Sequence, residues 1–127
     1  MLLAEKLTSI MPSHLTKCVF VNSGSEANDT ALRMAHYFKD RKAVICLEYA
    51  YHGSLSSLIP ISEYKYKNNL KYCEKHVYKA SLPYVYQNPE RDLKFYEDEM
   101  QSICQQIKKD GFELGAFIHE SFPSCGG

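Results

Sequence analysis

Residues 21–28, with the sequence VNSGSEAN, constrain the fold most, because they join a short apolar run to a helical pattern through a glycine flanked by serines. The run at 18–21 has the β-branched and aromatic composition of a buried strand. The apolar residues after the glycine recur every three or four positions, which is typical of one helix face: Ala27, Ala31, Met34, Ala35 and Phe38. The segment therefore predicts a strand that leads into a helix.

Ser23 and Glu26 stand in the order Ser-x-x-Glu at the start of this predicted helix. The pattern is a capping box, in which each side chain accepts a hydrogen bond from a backbone N–H at the helix start. The remaining N–H groups point outward at the positive end of the helix dipole, where a phosphate is bound favourably. A phosphate site is therefore predicted here, although capped helices after strands also occur in many α/β proteins that bind nothing at that point.

Residues 22–35, NSGSEANDTALRMA, resemble the phosphate-binding segment of the class III pyridoxal-phosphate aminotransferases. In that family the glycine and the small residue after it hold the 5′-phosphate of the cofactor, and they match Gly24 and Ser25. The resemblance implies pyridoxal 5′-phosphate as the cofactor. It also implies that residues 1–127 are part of the large, mostly parallel-sheet, PLP-binding domain of the fold-type I transferases, truncated at both ends.

A second strand is predicted at residues 43–47, an unbroken apolar run typical of a strand covered on both faces. Strand, helix and strand in this order indicate a right-handed βαβ crossover and a parallel sheet, so the predicted fold class is α/β. The second strand leads to Tyr51, His52 and Gly53 at the carboxyl edge of the sheet, where open α/β folds bind ligands.

A Tyr-His pair in a loop can belong to the surface or to packing, but this pair follows the phosphate segment at the interval found in the family. It resembles the aromatic-His-Gly element of the class III aminotransferases. The resemblance implies that the Tyr51 ring stacks on the pyridine ring of the cofactor and that His52 lies in the same wall of the site.

Residues 114–120, LGAFIHE, form another apolar run, which Glu120 ends at the same predicted edge. Taken alone, Glu120 could cap the next loop. Together with the following SFPSCGG, it resembles the glutamate element of the family, and is closest to the phospho-lyase branch, which acts on ethanolamine phosphate or phosphohydroxylysine. The resemblance implies that Glu120 lies beside the cofactor. The implied cofactor-binding residues are thus Gly24, Ser25, Tyr51, His52 and Glu120.

Two further helices are predicted to pack without chemistry of their own. Residues 1–11 place apolar side chains on one helix side, and a proline and a serine follow. Residues 93–107 alternate steps of three and four between apolar positions, and Asp110 and Gly111 supply a helix stop. The second of these reads as an amphipathic cover helix.

Residues 54–88 are predicted to be loop, with one short helix that Pro60 interrupts. Within this segment, residues 64–69 interleave lysines with tyrosines, a composition that could bind nucleic acid. The neutral charge of the chain favours instead a solvated surface beside the active site.

Composition narrows the possible partners. Lys plus Arg and Asp plus Glu number 15 each, so the formal net charge is zero and small molecules or proteins are the expected partners, with neither nucleic acid nor membrane. The five cysteines form no CxxC pair, which speaks against a disulfide framework or a zinc site and favours a reducing compartment. No apolar run approaches the roughly 20 residues of a membrane helix. The expected location is intracellular, in mitochondria or cytoplasm.

Pyridoxal-phosphate chemistry needs a lysine that forms a Schiff base and a carboxylate that keeps the pyridine nitrogen protonated. In the family both lie beyond the position of Gly127, and no lysine of this chain stands in a context that resembles the family's lysine. We therefore expect a fragment with half a cofactor site, no catalytic residue and no activity of its own.

By resemblance, the parent enzyme is a phospho-lyase that eliminates phosphate and ammonia from ethanolamine phosphate or phosphohydroxylysine, and it works as a homodimer. An ordinary class III ω-aminotransferase is an alternative that these residues do not separate from the lyase. Two readings from other classes stay open: a phosphate-binding α/β module, and a non-catalytic paralogue that associates with a full-length subunit.

Overall fold

A parallel three-stranded sheet forms the centre of the fold. The computed structural model describes residues 2–39, 41–66 and 74–126. The strands are β1 (Ala43–Leu47), β2 (Val77–Ala80) and β3 (Leu114–Ile118), in the spatial order β2-β1-β3. The helices are α1 (Leu2–Ile10), α2 (Gly24–Lys39), α3 (Glu63–Tyr66) and α4 (Leu93–Lys109), with a 3-10 turn at Ile59–Ile61. The predicted α/β class with a parallel sheet is confirmed.

The central strand β1 is covered on both faces, as its unbroken apolar sequence predicts. Val44 and Cys46 join a core cluster with Leu32 of α2, with Leu58, which precedes the 3-10 turn, and with Ile61, which ends it. On the opposite face, Ala43 and Ile45 pack with Ala80 of β2 and Ile107 of α4. The alternation follows from the two-residue period of a strand.

The strand predicted at 18–21 is not formed. Residues 15–21 carry no regular secondary structure, and Val19 and Phe20 are 65% and 59% exposed. A strand needs a neighbour for its backbone N–H and C=O groups, and no described residue supplies one, so strand-like composition is insufficient. The predicted crossover through α2 is therefore wrong for the described residues. The parallel connections instead run from β1 to β2 and, through α4, from β2 to β3.

The apolar face of α2 that the sequence indicates is not the face turned to the core, except at Ala35. Met34 and Phe38 are exposed, whereas Leu32 is buried. The face turned to the core carries the partly or fully buried residues Ser25, Asn28, Asp29, Leu32, Ala35 and His36, which recur at helical spacing. Small and polar side chains dominate this face, so apolar periodicity pointed to the opposite side of the helix.

Helix α1 forms where predicted but buries none of its residues, so it does not act as a packing helix among the described residues. Helix α4 is confirmed: Asp92 caps it by accepting a hydrogen bond from the Phe95 N–H at 2.8 Å. Gly111, at φ 80°, follows its end. Strand β3 ends at Ile118, two residues before Glu120.

The segment predicted to be loop, residues 54–88, contains strand β2. The sequence Val-Tyr-Lys-Ala is only four residues long and includes a lysine, so it lacks the apolar run of a buried strand. β1 nevertheless pairs with it, with Ile45 opposite Tyr78. The 3-10 turn at Pro60 matches the predicted short helix, whereas residues 67–69 of the predicted basic surface lie outside the described residues.

No helix in the described ranges is long and apolar enough to cross a membrane. Within the same ranges, no group of three or more His, Cys, Asp and Glu side chains is arranged to hold a metal ion.

Candidate cofactor site

The amino end of α2 is capped as the sequence predicts. Ser23 Oγ accepts a hydrogen bond from the Glu26 N–H at 3.2 Å, and Glu26 Oε2 accepts one from the Asn22 N–H at 2.7 Å. The glutamate thus reaches one residue further back than in the usual capping box. The N–H groups of Gly24 and Ser25 lie in the first turn of the helix, where no preceding helical carbonyl can accept a hydrogen bond from them. No other described residue accepts one either. They are free to bind an anion.

Open space lies in front of Gly24. A Cβ atom built at this position would meet nothing within 4 Å, so no neighbour in the described chain requires a glycine here. The room that a side chain could fill is available to a ligand at the positive end of the helix dipole. The Gly24 and Ser25 N–H groups are the donors that a phosphate would meet at this helix end.

The turn formed by Tyr51, His52 and Gly53, which follows β1, packs directly against this helix end. Gly53 has φ 137°, and a Cβ here would overlap Ser25 Oγ and lie 2.7 Å from Leu58 Cδ1. Only glycine meets both conditions. Ser25 Oγ accepts a hydrogen bond from the Ser54 N–H at 3.3 Å, which joins the two predicted elements of the site.

The half-buried Tyr51 side chain and the buried His52 side chain differ in their partners. The Tyr51 hydroxyl is 2.8 Å from Ser54 Oγ, and Lys65 Nζ lies 5.4 Å from the centroid of the Tyr51 ring. His52 is 5% exposed, and its Nε2 has no hydrogen-bond partner among the described residues. Burial, with a smaller effect of His119, lowers the pKa of His52, so the imidazole is neutral at neutral pH.

Glu120 lies at the same carboxyl edge of the sheet. Cys46 of β1 is paired with Ile118 of β3, so the segments that follow the two strands leave the sheet side by side. The His119 ring stacks on Phe117 with centroids 5.3 Å apart, and His119 Nδ1 is 3.1 Å from the Glu120 backbone oxygen. The Glu120 carboxylate makes no hydrogen bond or ion pair with the residues that the structure describes.

The structure thus brings four of the predicted site residues together through Ser25 and the turn: Gly24, Ser25, Tyr51 and His52. Glu120 shares their edge of the sheet without a hydrogen bond to them. Their roles toward a cofactor stay predictions, because the geometry establishes proximity and no ligand contact.

Three residues that hold the turn were not singled out from the sequence. Asn28 Nδ2 donates to the His52 carbonyl at 2.8 Å, and Ser62 Oγ accepts from the His52 N–H at 3.0 Å. Glu63 Oε2 accepts from the N–H of Tyr49, whose φ is 59°. Asn28 carried a usable signal, since it lies one helical turn after Gly24. Ser62 and Glu63 lie in the segment that was predicted to be loop.

Residues 1–127 match the protein family described as aminotransferase class-III. The chain belongs to this family. The predicted resemblance is confirmed, and the predicted cofactor agrees with the family. The match includes the helix end and the turn described above.

Two relatives support the family assignment, and a solved structure shows the same fold. "Alanine–glyoxylate aminotransferase 2-like" of Drosophila melanogaster is 43% identical over 133 residues, covering 98% of this chain and 27% of the relative. "Ethanolamine-phosphate phospho-lyase homolog 1" of Caenorhabditis elegans is 32% identical, covering 98% and 30%. A PLP-bound aminotransferase mutant from Vibrio fluvialis superposes with a TM-score of 0.82 at 21% identity, covering 99% and 30%. The chain therefore spans less than a third of the length of these proteins.

Proposed function

We propose that residues 1–127 form part of the PLP-binding large domain of a class III enzyme and hold the phosphate and one face of the cofactor. The contact between Gly53 and Ser25 carries the proposal, since it joins the turn that contains Tyr51 to the helix end that contains the Gly24 and Ser25 N–H groups. An anion and an aromatic ring on one small molecule fit such a pair of features.

Each residue has a physical role in this proposal. The Gly24 and Ser25 N–H groups donate to the phosphate, and the helix dipole adds to their attraction. The Tyr51 ring packs on the face of the pyridine ring and fixes its orientation. His52 lies in the same turn, with a neutral imidazole whose buried Nε2 has no hydrogen-bond partner among the described residues. Glu120 contributes a carboxylate at the same edge.

When bound, pyridoxal phosphate supplies an electron sink for charge that develops next to the substrate nitrogen. The residues of this chain bind and orient the group. The reaction itself also needs a lysine to which the cofactor is covalently attached. Among the described lysines, Lys79 is paired with Glu63 at 2.7 Å and Lys94 with Asp98 at 2.6 Å. Because no lysine of the chain stands in a context that resembles the family's lysine, we propose that the 127-residue chain alone is inactive.

We propose that the whole protein is a phospho-lyase that releases phosphate and ammonia from ethanolamine phosphate or phosphohydroxylysine, and that it is a homodimer. The printed name of the Caenorhabditis elegans relative favours the lyase. An ω-aminotransferase is the second candidate, and the name of the more similar Drosophila melanogaster relative favours it.

One assay separates the two candidates in the whole protein. Ethanolamine phosphate is supplied with and without a 2-oxo acid acceptor, and both free phosphate and the new amino acid are measured. The lyase predicts phosphate release that does not depend on the acceptor. Formation of an amino acid that requires the acceptor, with no free phosphate, would establish the aminotransferase instead.

A parallel experiment tests the inactivity of the 127-residue chain. The chain is mixed with pyridoxal phosphate, reduced with borohydride and digested, and the labelled lysines are mapped by mass spectrometry. Scattered labelling well below one group per chain is expected, since the ammonium groups described above are solvated or paired. Stoichiometric labelling of one lysine, accompanied by phosphate release, would contradict the proposal.

A further inference from the structure

The backbone of the turn at Tyr51–Gly53 is held by three side chains from two different segments, α2 and residue 62. Four backbone polar groups of residues 52–54 are bonded in this way: the His52 N–H and the Gly53 carbonyl to Ser62, the His52 carbonyl to Asn28, and the Ser54 N–H to Ser25. The position of the turn is therefore set by where these side chains are anchored.

Ser62 is anchored in the core. It is 0% exposed, and its neighbour Ile61 is part of the cluster that packs under α2. Its hydroxyl accepts from the His52 N–H at 3.0 Å and donates to the Gly53 carbonyl at 3.1 Å. The hydroxyl thus satisfies two backbone groups at once, and both would be left unpaired without it.

Asn28 is anchored on the helix that carries the proposed phosphate site. It lies one turn after Gly24 on the inner face of α2, and its side-chain amide donates to the His52 carbonyl at 2.8 Å. Because a helix turn is rigid, this bond fixes the turn relative to the Gly24 and Ser25 N–H groups. Asn28 therefore links the two halves of the site.

We propose that Asn28 and Ser62 are positioning residues that fix the distance between the Tyr51 ring and the helix end, so that one ligand contacts both. The inference rests on the proposed cofactor site. Neither side chain needs to touch the ligand. Their contribution is preorganisation, which raises affinity by removing the cost of ordering the turn upon binding.

The proposal predicts that a change at Asn28 or Ser62 lowers the affinity for one kind of ligand and not for another. Inorganic phosphate uses only the N–H groups of the helix end, whereas pyridoxine 5′-phosphate also offers a ring and carries no aldehyde that reacts with lysines. If the turn loosens, the second ligand loses its ring contact and the first loses nothing. A general loss of stability would instead weaken both ligands.

The test is a titration of the 127-residue chain with each ligand, followed by NMR at the Gly24 and Ser25 amides. The variants are Ser62→Ala and the isosteric Asn28→Asp, which cannot donate to the carbonyl. Ser57→Ala is the matched control, because Ser57 lies in the same segment but donates to the Asp29 side chain at 2.6 Å and not to the backbone of the turn. Each positioning variant should lower the ratio of the two affinities about tenfold, the size of one lost hydrogen bond, and the control should leave it unchanged.

The outcomes separate this inference from the function on which it rests. If neither ligand shifts the Gly24 and Ser25 amides of the unchanged chain, the cofactor site itself is wrong. If both ligands bind and the ratio is unchanged in folded variants, Asn28 and Ser62 do not position the turn. Should the buried Ser62→Ala variant lose its dispersed amide spectrum, the partly buried Asn28→Asp variant decides the question.

Discussion

The turn at Tyr51–Gly53 and the segment at residues 15–21 differ in how completely their backbone is satisfied. The turn has no ladder partner, yet side chains from α2 and from residue 62 bond its N–H and C=O groups. The segment at 15–21 has strand-like composition, yet it is exposed and pairs with no described strand. Order in this chain therefore follows the available partners more closely than it follows local composition.

The largest expected effect is on the turn, from Gly53→Ala. The added methyl group would overlap Ser25 Oγ at a φ of 137° that other residues rarely adopt. Strain and overpacking together should lower the free energy of unfolding by about 4 kcal/mol. Urea denaturation measures the loss. Gly24→Ala is the control, since its Cβ meets nothing within 4 Å, and a similar loss there would contradict the geometry.

Gly24→Asp should separate binding from folding at the helix end. The carboxylate favours the helix dipole, so the free energy of unfolding should stay the same or rise. Phosphate affinity should fall by about 2 kcal/mol, because a negative charge then occupies the place of the ligand. Titration with pyridoxine 5′-phosphate measures the affinity. Binding as tight as that of the unchanged chain would remove Gly24 and Ser25 from the site.

The buried His52 should make the turn sensitive to acid. Its pKa is lowered from 6.5, mainly by burial, so the unfolded chain takes up a proton near pH 6.5 while the folded chain stays neutral. The stability is therefore complete above that pH and is lost as the pH falls toward the lowered folded pKa. His36 shifts in the same direction, so His52→Gln should remove only part of the slope.

Urea denaturation of the unchanged chain and of His52→Gln between about pH 7 and pH 5 measures how the free energy of unfolding depends on pH. The pKa of Asp29 is lowered chiefly by the hydrogen bond from Ser57, so this carboxyl changes the stability only below pH 3.8, outside the range of the histidines. An unchanged slope in His52→Gln would mean that the imidazole is not held neutral by the fold.

The smallest effect is expected from Phe20→Ser in the exposed segment. The side chain is 59% exposed and belongs to neither core cluster, so the free energy of unfolding should change by less than about 0.5 kcal/mol. Leu32→Ala, in the core, should cost about 3 kcal/mol in the same assay. Comparable losses in the two variants would mean that the segment at 15–21 is packed in solution.

Sequence patterns predicted the elements whose signals are local. The capping box at Ser23, the apolar run of β1 and the spacing of α4 each depend on residues within one element. They formed as predicted, as did the parallel sheet. The family resemblance added the cofactor class and pointed to the turn at Tyr51–Gly53, whose Gly53 the structure places against Ser25 of α2.

The errors concern features that depend on distant partners. β2 is short and contains Lys79, and it is a strand because β1 pairs with it. The inner face of α2 carries Asn28 and other small or polar residues, since these contact the turn and the core. The role of Ser62 depends on the approach of residues 52 and 53, which nothing near it in the sequence indicates.

The most direct measurement follows the Tyr51 ring and the Gly24 and Ser25 amides in one NMR titration with pyridoxine 5′-phosphate. Our account predicts that both sets of signals shift with a single affinity, and that inorganic phosphate shifts only the amides. Tyr51→Ala should abolish the advantage of the larger ligand, whereas Tyr51→Phe, which keeps the ring face, should preserve most of it. Amide shifts with no response of the ring, or equal losses in the two variants, would contradict a shared site for phosphate and ring.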